Sequence, residues 1–168
     1  MRISALAVVL LSLVVVSEAR ADGVLSLDSV HLNARGHVVL DGDGRDDLGH
    51  PVGVDAEIQL DLVSDLDLYG TVGFLYGLSG NVDNWHIPFL AGAVYNFKQG
   101  SKSPFVGAAF GAVISNVESL DTEANAALEI AGGYEMSTVR VKAGLMFLDI
   151  GEAAETATLF ASVGFNLR

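Results

Sequence analysis

Residues 52–63 read VGVDAEIQLDLV. Val52, Val54, Ala56, Ile58, Leu60 and Leu62 fall on one side of an extended chain, and Gly53, Asp55, Glu57, Gln59 and Asp61 fall on the other. A repeat of two is the repeat of a β-strand. A helix would bring Asp55 and Ile58 to one side, so the helical reading fails. Such a strand has one apolar face to bury, and the fold turns on what buries it.

The same alternation recurs downstream. Leu66, Leu68, Val72, Phe74, Tyr76 and Leu78 oppose Asp67, Tyr69, Thr71 and Gly73. Ile87, Phe89, Ala91, Ala93, Tyr95 and Phe97 share a face. Ala126, Leu128, Ile130, Gly132 and Tyr134 oppose Glu129 and Glu135, and Val139, Val141, Ala143, Leu145 and Phe147 oppose Arg140 and Lys142. Ala157, Leu159, Ala161, Val163, Phe165 and Leu167 oppose Thr158, Ser162, Gly164 and Asn166. The stretch PFVGAAFGAVI (104–114) has no polar residue to fix its phase; Phe105, Gly107, Ala109, Gly111 and Val113 are assigned to the outside. Upstream, GVLSLDSVHLNARG (23–36) changes phase between Leu27 and Val30, which a bulge near Asp28-Ser29 would reconcile.

That makes eight strands. Their connections alternate: residues 36–51, 79–85, 115–124 and 149–156 are long, whereas Ser64-Asp65, 98–103 and Ser137-Thr138 are short. The expected fold is all-β, an eight-stranded antiparallel up-and-down transmembrane β-barrel with its long loops at one end. Closing the sheet removes the exposed edges that would template aggregation.

The chain has 168 residues, room for one domain. It has no cysteine, so disulfides and thiolate metal sites are excluded. A formal charge of -12 repels phosphate backbones and argues against nucleic-acid binding. Hydrophobic residues nevertheless make up 51%. Part of that sits in MRISALAVVLLSLVVVSEARA (1–21), an early Arg2, an apolar run and the small-x-small site Ala19-Arg20-Ala21. This is the pattern of a cleavable signal peptide, which leaves 22–168 as the barrel domain. Its removal takes two bases and one acid, making the remaining chain one charge more negative than -12.

Alternation alone does not say which face is outside. A soluble exported barrel would bury the apolar face around a small apolar ligand; a membrane barrel turns it toward lipid and keeps the polar face inside. Three features favour the membrane. Opposite charges lie on neighbouring strands, so Asp55, Glu57, Asp61, Glu129, Glu135, Arg140 and Lys142 suit a packed polar interior. Phe74, Tyr76, Phe89, Tyr95, Phe97, Phe105, Tyr134, Phe147 and Phe165 fall near strand ends with aliphatic residues between, as two aromatic girdles would. The strands also exceed the roughly five to six residues usual in globular sheets.

The chain then resembles a known family, the small OmpA-like and OmpX-like eight-stranded outer-membrane barrels of Gram-negative bacteria. The resemblance covers residues 22–168 and is sharpest in IPFLAGAVYNFKQGSKSPFVGAAFGAVI (Ile87–Ile114): an apolar strand ending Tyr-x-Phe, a polar turn, Pro-aromatic-Val-Gly and a small-residue strand. It implies residence in the outer membrane of the cell envelope, contact with lipid and lipopolysaccharide, insertion by the barrel assembly machinery and surface contacts through the loops. The family commonly ends in an aromatic residue; here the end is VGFNLR, with Phe165 three positions before Arg168.

No catalytic site emerges. A lipid-modifying barrel enzyme needs a nucleophile, a base and an orienting acid, and His31, His37, His50 and His86 lie in no such signature. Asp55, Glu57 and Asp61 space evenly along one strand and read as interior lining. Eight strands leave no wide lumen, so the protein is porin-like in architecture without being a general porin; at most a narrow polar path would run through it. The long-loop stretch LDGDGRDDLG (40–49) resembles a calcium loop. Three readings stand for it: a weak calcium site using Asp41, Asp43, Asp46 and Asp47, an acidic surface loop without an ion, or a loop bridged by divalent cations to lipopolysaccharide phosphates. No other cofactor is expected.

Overall fold

The computed structural model describes residues 26–63, 65–78, 84–97, 102–117 and 122–167. The expected signal segment lies outside them. The strands are β1 (Ser26–Val39), β2 (His50–Val63), β3 (Leu66–Leu78), β4 (Asn84–Asn96), β5 (Ser103–Val117), β6 (Glu123–Glu135), β7 (Val139–Phe147) and β8 (Ala157–Asn166). All eight form one closed barrel in chain order, each antiparallel to its neighbours. β8 returns to β1 through pairs such as Leu32↔Phe165 and Gly36↔Ala161. Closure gives every strand a partner on both sides, so no backbone edge is left over.

The bulge expected in β1 is present. Leu27 pairs with Leu60 and Ser29 with Gln59, so Asp28 is the extra residue. It brings Ser29, His31, Asn33, Arg35 and His37 to the inside and Leu32, Ala34 and Val38 to the outside.

β5 corrects the sequence reading. Phe105, Ala109 and Val113 are buried in the interior, while Val106 and Phe110 are exposed outside. The assignment of Phe105 to an aromatic girdle is therefore overturned. With no polar residue between Phe105 and Ile114, its phase is set by its neighbours: Asn96 on β4 pairs with Phe105, and Gly133 on β6 leaves the space its ring fills.

The first long connection also differs from a plain loop. β1 runs on to Val39, β2 starts at His50, and Gly42–Leu48 form the helix α1. Asp41 caps it by accepting the Gly44 N–H at 3.0 Å. Gly49 ends it in a left-handed conformation, φ 61°, that favours glycine. Residues Ala153–Thr156 form one further helical turn, α2. The two helices pack so closely that a Cβ on Gly44 would collide with the Glu155 carbonyl. Leu48 packs against the buried apolar cluster, and Asn84 Nδ2 donates to the Asp47 carbonyl at 2.8 Å. Thr156 Oγ1 accepts the Asp149 N–H at 3.1 Å and donates to the Asp149 carbonyl at 2.7 Å. Together these contacts make a clasp over the loop end of the barrel.

This clasp should come apart without the barrel. Gly44→Val forces α1 away from α2, so amides 42–48 lose exchange protection while strand amides keep theirs. The Asp41 carboxyl is held below its ordinary value of 3.8 by the Gly44 N–H first, helped by the Asp43 and Gly42 N–H groups and Arg45. The cap is thus complete above that ordinary value and is lost as pH falls through the lower folded one. Acid titration followed by exchange should fray α1 first. Equal protection at pH 7 and below pH 3, or in the variant, would reject the clasp.

Candidate functional site

Three cations and three anions meet inside the barrel, all buried: Arg35, Arg140 and Lys142 with Asp55, Glu57 and Glu129. Arg140 Nη1 donates to Glu57 Oε1 at 2.7 Å, and Lys142 Nζ to Glu57 Oε2 at 2.9 Å. Lys142 also donates to Glu129 Oε1 at 3.0 Å, and Arg35 Nη2 to Glu129 Oε2 at 2.7 Å. Arg35 Nη1 lies 3.3 Å from Asp55 Oδ2. The result is a continuous chain, Arg140–Glu57–Lys142–Glu129–Arg35–Asp55, across β7, β2, β6 and β1. In the strand register Lys142 on β7 is opposite Gly133 and Glu129 on β6 is opposite Met146, so the long lysine side chain spans four positions along the inner face to reach Glu129.

Neutral groups complete the ends of the chain. Asn33 Nδ2 and Thr71 Oγ1 donate to Asp55 Oδ1 at 2.6 and 3.3 Å. Gln59 Nε2 donates to Glu57 Oε1 at 2.9 Å, and Ser29 Oγ to Gln59 Oε1 at 3.1 Å. Since the Ser29 hydroxyl proton is committed to Gln59, His31 Nε2 is the donor in its 2.9 Å contact with Ser29. Aromatic rings pad the cations: Arg140 lies 3.9 Å over Phe105, and Arg35 lies 4.4 Å over Phe160. The correction to β5 has a reason here, because the inward Phe105 ring covers a guanidinium.

An apolar cluster shares the interior with the charges: Leu75, Leu90, Val94, Val113 and Met146 are buried together, and Met146 is paired directly with Glu129. Polar and apolar side chains line the lumen together, as expected in an eight-stranded barrel.

The sequence-derived sites sort as follows. Asp55, Glu57, Glu129, Arg140 and Lys142 come together in the network. Glu135 is half-buried at the turn end, 3.9 Å from Arg140 and 3.7 Å from His31. Asp61 does not join the interior. It is exposed at the turn-end rim, where strand alternation still points it inward but β2 has run past the packed layer. Asp61, Asp28 and Asp67 place carboxylate oxygens within 4.8 Å of one another. That group, the one of its kind among the described residues, contains none of Asp41, Asp43, Asp46 and Asp47. α1 spreads those four along a helix, with Asp43, Asp46 and Asp47 exposed. Phe74, Tyr76, Tyr95, Phe97, Tyr134 and Phe165 are exposed on the outer surface, and Phe89 and Phe147 are partly exposed.

Arg35 is the functional residue the sequence reading missed. Its signal was available: once the bulge fixes the phase of β1, Asn33, Arg35 and His37 alternate with Leu32, Ala34 and Val38.

His31, His37 and His86 rest on hydroxyls. Thr158 Oγ1 donates to the Met146 carbonyl at 3.1 Å, so it accepts from His37 Nδ1 at 3.0 Å. His86 Nδ1 lies 2.8 Å from Ser115 Oγ, but His86 Nε2 has no hydrogen-bond partner. Ser115 and His86 therefore touch without an acid to orient the ring, and a nucleophile–base–acid arrangement is not assembled there.

The fold is similar to that of solved membrane barrels. The N-terminal β-barrel domain of OprF from Pseudomonas aeruginosa is 18% identical, over 84% of this chain and 100% of that one, with a TM-score of 0.54. Neisserial surface protein A is 16% identical, over 85% of this chain and 99% of that one, with a TM-score of 0.55. A barrel from the de novo design of transmembrane β-barrels is 12% identical, over 83% and 95%, with a TM-score of 0.50. No family model matches the sequence, and no curated protein matches it. At these identities the likeness is one of fold: a closed, eight-stranded, up-and-down barrel.

Removing one partner from the charge chain strands the others in a medium that solvates them poorly. Arg35→Met leaves Glu129 and Asp55 short of a cation and should cost about 3–5 kcal/mol, measured by urea titration of the folded barrel. Arg35→Met with Glu129→Gln should recover part of that loss. A single variant as stable as the parent would mean the interior is wet.

Proposed function

We propose that the protein is an integral outer-membrane barrel, exported by its signal segment and acting without catalysis through the surfaces it presents at its loop end. The observation that carries this is the inverted distribution of polarity. The buried side chains include Arg35, Asp55, Glu57, Glu129, Arg140 and Lys142, while Leu32, Val54, Ile58, Val72, Phe74, Phe110, Ile130 and Val163 are exposed around the outside. In water that surface would be a contiguous apolar patch on every side, far beyond the few hundred Å² that soluble monomers tolerate. In lipid it is the solvent-matched face. The outward aromatics near the strand ends then lie at the two interfaces, and the fold of the solved membrane barrels supports the same reading.

The soluble alternative needs an apolar interior able to hold a guest. Here the interior holds buried ion pairs together with a packed apolar cluster, and the clasp covers its loop end. With the lumen filled and no assembled nucleophile–base–acid set among the described residues, the work is assigned to the ends. At the loop end, Asp43, Asp46, Asp47, Glu152 and Glu155 are exposed beside the single base Arg45. An acidic surface at the level of lipopolysaccharide phosphates would be joined to them by divalent cations. Adding millimolar Mg²⁺ in lipopolysaccharide-containing bilayers should slow exchange of the α1 amides; unchanged exchange rejects this part.

The membrane assignment has two direct tests. In fractionated cells the protein should partition with outer membranes and migrate faster on SDS-PAGE unboiled than boiled; recovery in the soluble periplasm without a heat shift would reverse it. Val72, exposed at the middle of β3, gives the energetic test. Val72→Lys should destabilise the barrel by about 2–4 kcal/mol in lipid, whereas a water-facing position would accept the lysine without loss.

A further inference from the structure

The outer surface carries a hollow of about 650 Å³. Two adjacent cross-strand rows make it. One row runs Ala93↔Ala108↔Ile130 and the next runs Tyr95↔Val106↔Gly132. Ala93, Ala108 and Gly132 are too small to reach the level of their neighbours, so they form a floor. Tyr95, Val106 and Ile130, all exposed, stand around it as walls. The hollow opens at the turn end of β4, beside Tyr95, and extends toward Leu145 and Leu159 at mid-barrel.

We propose that this hollow holds one acyl chain of a phospholipid from the leaflet at the turn end, retained as a bound lipid rather than exchanged as solvent. The inference rests on the membrane reading above and names a partner for that same face. Its lining is apolar apart from the Tyr95 hydroxyl at its mouth, so its floor offers nothing to a peptide backbone or an ion. Its volume is about four times the ~150 Å³ cavity that takes up benzene, which is ample for one hydrocarbon chain. Tyr95 and its edge-on neighbour Phe97, with ring centroids 5.3 Å apart, mark the interfacial end. A chain entering there leaves its headgroup at the level of those rings and its tail against Leu145 and Leu159.

A second copy of the barrel is the weaker occupant. Two convex cylinders meet along a line, and a stable interface needs about 800 Å² from each partner. A flexible chain adapts to the floor as a second rigid barrel does not. An unfilled hollow would leave its lining without contact partners, forfeiting dispersion energy on one side.

Filling the hollow tests the proposal. Gly132 is the position of choice, because a Cβ there meets its nearest neighbours, the Phe105 carbonyl and Val106 Cγ1, at 3.4 and 3.6 Å, which is ordinary contact. Wild type and Gly132→Leu are refolded into vesicles of palmitoyl-oleoyl phosphatidylethanolamine and phosphatidylglycerol, extracted in mild detergent and weighed by native mass spectrometry. Wild type should keep one phospholipid per barrel. In Gly132→Leu the bound-to-free ratio should fall at least about tenfold, equivalent to about 1.4 kcal/mol, with the heat shift on gels unchanged. Ala108→Phe serves as the second variant should Gly132→Leu not fold. Wild type without lipid, or a filled variant that keeps as much lipid, overturns the proposal. A wild-type dimer that the variant loses overturns it in favour of a second copy. If wild type fails to insert into the vesicles, the membrane reading falls and this inference with it, an outcome separate from insertion without bound lipid.

Discussion

Charge inside a narrow barrel must be balanced group by group, because no bulk water is there to do it. An unpaired buried carboxylate or guanidinium loses several kcal/mol of solvation. Arg35, Arg140 and Lys142 meet Asp55, Glu57 and Glu129 in equal number, and Glu57 and Glu129 each bridge two cations. Several features of the fold serve that balance. The bulge at Asp28 brings Arg35 to the inside, and Gly133 leaves room for the Phe105 ring under Arg140. The register of β6 on β7 sets Lys142 within reach of Glu129. Slipping any of these strands by one residue would turn charges outward and aliphatic side chains inward. The network thus acts as a register lock as well as a source of stability.

With the interior neutral, the chain's excess negative charge belongs to its ends. The exposed acids of α1 and the neighbouring loop crowd one mouth, and Asp28, Asp61 and Asp67 converge at the other. The two mouths are built differently. At the loop end, two short helices lock together, and Leu48 closes the apolar wall from above. At the turn end, Ser29, His31 and Gln59 are buried around the end of the network, and Glu135 is half-buried beside His31 and Arg140.

How much of this was legible in the sequence follows from where polarity alternates. β2 declares both its type and its inward face, because Asp55, Glu57 and Gln59 punctuate Val54, Ala56 and Ile58. β1 was legible through its phase break, which a bulge at Asp28 explains. β5 was not: Phe105 through Ile114 contains no polar residue, so either phase satisfies the pattern, and tertiary neighbours decide. The helix in residues 42–48 was also hidden. Its composition of glycine and aspartate disfavours helix, and only the Asp41 cap, the left-handed Gly49 and the packing against α2 outweigh that preference. The site residues followed the same rule. Acids and bases on clearly alternating strands could be placed inside, whereas Asp61 lies on the right face but too far along the strand to be covered. Periodicity reports direction, and depth comes from closure and shear.

A filled, neutral interior has a further consequence for what such a barrel does. A path for ions past Glu57 and Glu129 would have to separate carboxylates from cations held at 2.7–3.0 Å. The same ion pairs tie β1, β2, β6 and β7 together, and a cross-linked cylinder is a good mount for its ends. α1 and α2 are held to that mount by Asn84, Leu48 and the contact between Gly44 and Glu155 rather than left as free loops. The order of the acidic loop end therefore derives from the barrel beneath it: the ion pairs fix the strands, the strands fix the clasp, and the clasp fixes which carboxylates face outward.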